Sequence, residues 1–228
     1  MTDVWSGPDT EATGDPDGRS SVLVVDHPLA AHRLSGLRDV TTDSPTFRQL
    51  VAELSAFVAY EALRALDTVD RQIDTPVASG VWCRRVEEMV LLVPVLRAGL
   101  GMVPAIQETL PATEVAHVGL RRDETTLQAE VYLNRLPADL TGRRVVVCDP
   151  MLATGGSLAQ VCTMVKQRQA ATITVLSLIA SVPGLSYFAT AHPDVAVACV
   201  AVDPELDKRG FIVPGLGDAG DRLFGPPD

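Results

Sequence analysis

Asp149, Thr154, Gly155, Gly156 and Ser157 fall within one run, VVVCDPMLATGGS over residues 145–157. Apolar residues lead into a single carboxylate, and the next turn is built from small, hydroxylated and glycine residues. Packing alone does not ask for that order. A carboxylate leaving the carboxyl end of a buried strand stands where open parallel sheets hold ligands. Glycines let the backbone turn tightly and approach a ligand, and the free N–H groups and dipole of a following helix attract an anion. The spacing is not that of a Walker loop, because GxxxxGK[ST] and its lysine are absent. One carboxylate beside a phosphate cradle suits a sugar phosphate, the acid accepting hydrogen bonds from ribose hydroxyls. The alternative is a plain strand-to-helix turn.

Two other stretches carry chemistry. In LRAGLG, Arg97 follows an apolar run and precedes two small residues, which presents a guanidinium with little cover. Its fixed donors suit a diphosphate, the alternative being a surface ion pair. In FIVPGLGDAGD, glycines 215, 217 and 220 surround Asp218, so backbone amides can face a flat ligand, with Phe211 and Ile212 supplying an apolar wall. Without further context this is only a turn. His27, His32, His117 and His192 form no paired constellation and read as structural or surface residues, and no Ser/His/Asp arrangement emerges.

The elements that must position these groups read as an α/β pattern. Strand-like runs at Met89 to Val95, Arg144 to Cys148, Thr172 to Ile179 and Val195 to Val202 alternate with helix-like segments, the signature of a central, mostly parallel sheet flanked by helices. From Pro45 to about Leu66, apolar residues recur at helical spacing behind a Ser44–Pro45 start that suits an N-cap and first turn. Thr113 to Asn134 reads as a polar hairpin or long exposed loop. Residues 1–20 are almost empty of large apolar groups and are expected to form a mobile acidic tail, leaving 21–228 as one domain.

Composition narrows the classes. At 228 residues and 46% hydrophobic, the chain supports one sizeable core. A net charge of −10 opposes nonspecific binding to nucleic acid or anionic lipid. No apolar run approaches the roughly 18 residues of a membrane span and the start lacks a signal-peptide pattern. Cys83, Cys148, Cys162 and Cys199 show neither a CxxC nor a Cys/His cluster, so buried free thiols and a cytoplasmic address are expected.

PVLRAGLGM at Pro94 to Met102, DPMLATGGS at Asp149 to Ser157 and GFIVPGLGDAGDRLFG at Gly210 to Gly225 together resemble the uracil phosphoribosyltransferases, a branch of the type I phosphoribosyltransferases. HPLAAHRLSGLRD and GLRRDETTL are also similar to that family, so the resemblance runs from about Asp26 to Gly225. It implies the type I fold with a C-terminal hood over the base, and transfer of a phosphoribosyl group from 5-phospho-α-D-ribose 1-diphosphate to uracil. Arg97 and Arg122 would bind the diphosphate. Asp149, Pro150, Met151, Leu152, Ala153, Thr154, Gly155, Gly156 and Ser157 would hold the donor, Asp218 would reach both substrates, and Phe211, Ile212, Gly217 and Ala219 would hold uracil. Arg97, Arg122, Asp149 and Asp218 would be the catalytic set.

The resemblance further implies magnesium held mainly through the substrate diphosphate, GTP as an activator, and a dimer or tetramer. Two departures bear on the base pocket: Phe211 stands where the family usually has Tyr, and Glu205 and Asp207 add charge beside it. They leave room for a rival, a uracil- or nucleotide-sensing regulatory protein of the same fold, and for transfer to a different base.

Overall fold

The computed structural model describes residues 21–110, 112–122 and 129–226, with the backbone alone for Arg122 and Ala129. The expected tail, residues 1–20, lies outside the described residues. Six helices and fifteen strands are described, in the order β1 (Val22–Val24), α1 (Pro28–Arg38), α2 (Ser44–Ala62), β2 (Thr68–Thr75), β3 (Ala78–Val86), β4 (Val90–Leu96), α3 (Val103–Thr109), β5 (Glu114–Val115), β6 (Val118–Arg122), β7 (Ala129–Asn134), β8 (Arg144–Cys148), β9 (Met151–Leu152), α4 (Gly156–Lys166), β10 (Thr172–Leu176), β11 (Ile179–Ser181), α5 (Val182–Ala191), β12 (Ala196–Cys199), β13 (Ala201–Asp203), β14 (Glu205–Leu206), β15 (Ile212–Val213) and α6 (Ala219–Phe224).

The main sheet has the order β1-β12-β10-β8-β4-β6-β7, with β5 also against β4. Every pairing in it is parallel except β6 with β7. Residues along β4, β8, β10 and β12 alternate between two cores, as strand geometry requires. Leu92, Val146, Cys148, Leu176 and Ala198 pack with α1, α2, α3 and α6, while Val93, Val145, Val147, Val175 and Val197 pack with α4 and α5. The result is an α/β sheet covered on both faces, which explains why the central strands are continuously apolar.

Two of the expected strands are broken. Thr172 to Ile179 divides into β10 and β11, and Val195 to Val202 into β12 and β13. The reason is a bulge repeated from strand to strand: the amides of Leu178 and Ile179 share the Pro150 carbonyl (2.9 and 3.1 Å), and those of Val200 and Ala201 share that of Leu178. Pro150 has no N–H to continue the ladder beyond β8. The strand ends therefore step into a second parallel sheet, β13-β11-β9, which forms a shelf above the main one.

Other boundaries shift for local reasons. The N-cap of α2 is Asp43, not Ser44, because the Asp43 carboxylate accepts the Thr46 N–H at 2.9 Å, and the helix ends at Ala62. Within Thr113 to Asn134, β5 pairs in parallel with β4, and β6 with β7 form an antiparallel pair carried on the main sheet through β6; residues 123–128 between them lie outside the described residues. Beyond expectation are the edge strand β1 and the hairpin of β2 with β3, which pairs with no other strand among the described residues. Cys148, Cys162 and Cys199 are buried free thiols as expected, whereas Cys83 lies half-buried on that hairpin.

Phe188 on α5 is fully buried in the core beneath the shelf. Phe188→Ala is expected to lower unfolding free energy by about 3–5 kcal/mol in a denaturant titration, because the ring leaves a cavity. A loss below about 1 kcal/mol would show that α5 collapses onto the sheet instead.

Candidate active site

The site is built on the carboxyl ends of β4 and β8. These strands pair in parallel from Val90 with Arg144 to Pro94 with Cys148, so both leave the sheet at the same edge. Asp149 is the first residue beyond β8, its amide bonded to the Leu176 carbonyl at 3.1 Å. Its carboxylate accepts the Met151 N–H at 3.2 Å and is half-buried. Burial pushes its pKa up to about 7; the Met151 amide opposes the rise and the nearby Asp218 carboxylate adds to it.

The turn after β9 is held from below. Ser181 caps α5 by accepting the Gly184 N–H at 2.9 Å and donates to the Ala153 carbonyl at 2.6 Å. Gly184 presses so closely on Ala153 that a Cβ there would overlap its carbonyl. Gly155 adopts φ +79°, a left-handed conformation, and starts α4 without a side-chain cap. The amides of Gly156, Ser157 and Leu158, and the hydroxyls of Thr154 and Ser157, make no hydrogen bond among the described residues. Orphan donors at a helix start await an anion. Thr154, Gly155, Ser157 and Leu158 line a hollow of about 100 Å³ together with Asp149, Met151, Leu152 and Ala153.

Arg97 follows β4 at a cis peptide and leads into a short 3₁₀ turn, Ala98–Gly101. That turn folds back until Gly99 touches the Cys148 carbonyl, where a Cβ would overlap. The guanidinium is about half exposed and pairs with Asp221 at 3.1 Å. Asp218 caps α6 by accepting the Asp221 N–H at 3.0 Å, and its carboxylate and Arg97 flank Gly220. Arg122 ends β6, which pairs with β4 through Leu96 and Gly119, so its backbone leaves the same edge.

The C-terminal segment closes over this edge as a hood. Phe211 is half-buried and carries the Arg209 guanidinium over its ring at 4.9 Å. Ile212 is buried and opposite Leu206 in the β14–β15 pair. The Asp207 amide donates to the Phe211 carbonyl at 2.8 Å, so that pair is hydrogen-bonded and, by antiparallel alternation, the next pair is not. The N–H and C=O of Ile212 thus turn away from β14. The Gly217 amide makes no hydrogen bond among the described residues.

The structure brings Arg97, Asp149, the 150–157 turn and Asp218 to one sheet edge, with the hood beside them. The side chain of Arg122 lies outside the described residues. Sequence reasoning missed Arg38, Asp203, Asp221 and Arg222, which tie these pieces together, although Arg38 sits in the quoted HPLAAHRLSGLRD and the last two in GDRLFG. Of the histidines, His27 caps α1, buried His192 faces the Ala159 carbonyl at 2.8 Å, and His32 is exposed. A surface hollow of about 430 Å³ at the opposite sheet end is lined by strand starts with Lys166 and Asp194, which pair with each other. It lies away from the carboxyl ends where such sheets bind ligands.

A carboxylate at the end of a central parallel strand, a free-amide turn behind it and a hood above it define a phosphoribosyltransferase of the type I fold. A family model described as uracil phosphoribosyltransferase matches residues 24–226. Proteins named uracil phosphoribosyltransferase are 51% identical over 205 residues in Kineococcus radiotolerans, covering 89% of this chain and 97% of that one, and 48% identical over 206 residues in Clostridium kluyveri, covering 90% and 99%. The solved AQ2163 protein of Aquifex aeolicus superposes with a TM-score of 0.85 at 32% identity over 90% of this chain and 98% of its own. The chain belongs to the uracil phosphoribosyltransferase family.

The pKa of Asp149 lies above its ordinary 3.8, so its share of stability is fully present below that pH and is lost as pH rises through about 7. Asp149→Asn is therefore expected to melt several degrees higher than the parent at pH 8, with the gap closing near pH 4. The same change should lower kcat/KM for the donor by roughly ten- to hundred-fold, the worth of a charged hydrogen bond. Equal melting temperatures at pH 8, or unchanged donor kinetics, would contradict this account of the carboxylate.

Proposed function

We propose that the protein transfers the phosphoribosyl group of 5-phospho-α-D-ribose 1-diphosphate to uracil, giving UMP and diphosphate. The observation that carries this reading is the Asp149 carboxylate directly before a turn of unpaired amides, with Arg97 across the same edge. In this reading the 154–157 turn holds the 5-phosphate, Asp149 accepts from the ribose hydroxyls, and Arg97 and Arg122 bind the diphosphate. The C1–O bond breaks towards an oxocarbenium-like ribosyl centre as the base nitrogen attacks from the opposite face. Positioning and charge stabilisation carry such a reaction without a covalent nucleophile.

Magnesium belongs to the proposal as an ion held mainly by the diphosphate. Among the described residues no cluster of three or more His, Cys, Asp or Glu could cage a metal. The carboxylates present at the edge, Asp149 and Asp218, fit magnesium, which keeps much of its water and binds through substrate phosphates with one or two carboxylates. Bound there, it would offset diphosphate charge, and Asp149 and Asp218 would help to hold it. GTP activation is also part of the proposal and is read by adding GTP to the same assay. Four free cysteines accord with a reducing cytoplasm. No described helix is long and apolar enough to cross a membrane.

Self-association is supported by the β2–β3 hairpin. An isolated two-stranded hairpin is marginal in water, and this one exposes Val69, Ile73 and Trp82. A second copy of the chain covering it would stabilise both. Sedimentation is expected to show a dimer or larger assembly, which Trp82→Glu shifts towards monomer. A monomeric wild type would refute this part.

The base is read by main-chain groups, which are fixed in type: an N–H only donates and a C=O only accepts. The Gly217 N–H facing O4 and the Ile212 C=O facing N3–H satisfy uracil, whereas cytosine reverses both groups. Purified protein with uracil, the donor and magnesium should form UMP and release diphosphate. Uracil should be preferred over cytosine by on the order of 10⁴ in kcat/KM, with 5-fluorouracil accepted. Arg97→Lys should weaken donor use, because an ammonium lacks the planar fork. Comparable cytosine and uracil kinetics would sink the main-chain reading, and absent diphosphate release would sink the enzyme.

A further inference from the structure

The hood is tied to the end of α1 by groups that are not among the proposed substrate contacts. Asp203 ends β13 and is 4% exposed, so its charge needs a partner. Arg38, the last residue of α1, supplies it with a two-pronged bond, at 2.7 Å to one carboxylate oxygen and 2.8 Å to the other. The pair then fastens Gly215 at both of its main-chain groups. Asp203 accepts the Gly215 N–H at 3.0 Å and Arg38 donates to the Gly215 carbonyl at 2.8 Å. Gly215 holds φ +61°, and a Cβ there would overlap the Ile212 carbonyl.

Arg222 fastens the next residue. One of its terminal nitrogens donates to the Leu216 carbonyl at 2.9 Å and to the Leu37 carbonyl at 2.6 Å, and the other to the Asp39 carbonyl at 2.6 Å. Its guanidinium lies 4.2 Å over the buried Phe47 ring. The Leu216 carbonyl and the Gly217 N–H belong to one peptide unit, which is planar and trans, so they point in opposite directions. Holding the carbonyl against Arg222, on the side of α1 and α2, aims the Gly217 amide away from those helices.

We infer that Arg222, with the Arg38–Asp203 pair, positions the Gly217 amide and thereby sets which base is accepted. None of the three is among the groups proposed to contact the base, although Arg38 and Arg222 border the same surface hollow as Gly217 and Asp218; they act through the peptide planes at Gly215 and Leu216. An arginine is required at 222 because three carbonyls on two segments are met at once by a flat fork seated on a ring, which an ammonium does not reproduce. The inference rests on the proposed uracil transfer, and it assigns specificity to residues that orient the proposed base contacts rather than make them.

The test compares Arg222→Lys, Arg222→Ala and Asp203→Asn with wild type, each checked for melting temperature. Expected is a rise in the KM for uracil of about tenfold or more with the donor KM within about twofold, and a falling uracil-to-cytosine preference. Added guanidinium should restore the uracil KM of Arg222→Ala. Should the alanine variant not fold, the lysine variant carries the same readout. Uracil and donor constants moving by one common factor, or an unchanged base preference in a folded variant, would overturn the inference. A wild type that forms no UMP would instead refute the uracil-transfer reading, an outcome distinct from variants that leave a working enzyme unmoved.

Discussion

The register between β4 and β8 governs the rest of the molecule. Five consecutive parallel pairs, from Val90 with Arg144 to Pro94 with Cys148, bring a cation-bearing turn and a carboxylate to one sheet edge. All ten of those positions except Arg144 are fully or almost fully buried, so a one-residue slip would send every apolar side chain to the wrong face. The turn after β4 is equally constrained, because only a glycine at 99 lets it rest on the Cys148 carbonyl. Gly101 then admits Leu223 of α6, whose side chain would sit 2.9 Å from a Cβ at that position. Through that contact the hood is seated on the same strand ends as the donor site.

The electrostatics of this edge are a balance. Asp149, Asp218 and Asp221 lie along one edge in a protein of net charge −10, and the proposed diphosphate has to enter beside them. Long-range attraction therefore does not bring the donor in; short-range donors must hold it. The exposed pair of Arg97 with Asp221 is worth about 0–1 kcal/mol, so a multiply charged diphosphate displaces the carboxylate readily. The unpaired amides at the start of α4 add fixed positive ends that carry no competing counter-charge. The raised pKa of Asp149 belongs to the same balance, since ribose hydroxyls donating to it would favour its charged form.

Much of this was legible because the central strands and the donor turn follow local rules. Val145 to Val147 are apolar and β-branched, and the structure keeps the expected strand bounds, Arg144 to Cys148. The bulges that split the next two strands were invisible, since they depend on which carbonyl a neighbouring strand offers, with Pro150 deciding it. The β2–β3 hairpin was missed because TVDRQIDT and ASGVWCRRV mix charge and apolar residues along strands exposed on both faces, so no buried stripe appears. Arg38 and Asp203 lie 165 positions apart, and no local pattern announces such a pair. Motif resemblance reached the residues proposed to contact the substrates and stopped at those that hold them in place.

The charged residues beside the pocket illustrate the same division. In sequence, Asp207 adds a charge near a site for an uncharged base. In the fold its carboxylate turns into its own loop, accepting the amides of Arg209 and Phe211 at 2.8 Å each, while its own amide donates to the Phe211 carbonyl. The charge is thus consumed in shaping the turn that carries the ring, as Asp side chains commonly do. Arg209 from the same turn covers the ring whose hydroxyl is missing, a contact that needs the π-face and not an oxygen. A pocket that reads its ligand with main-chain groups tolerates such changes, because the polar atoms that discriminate are not encoded by the side chains that vary. What it cannot tolerate is a change in the groups that orient those peptides from behind.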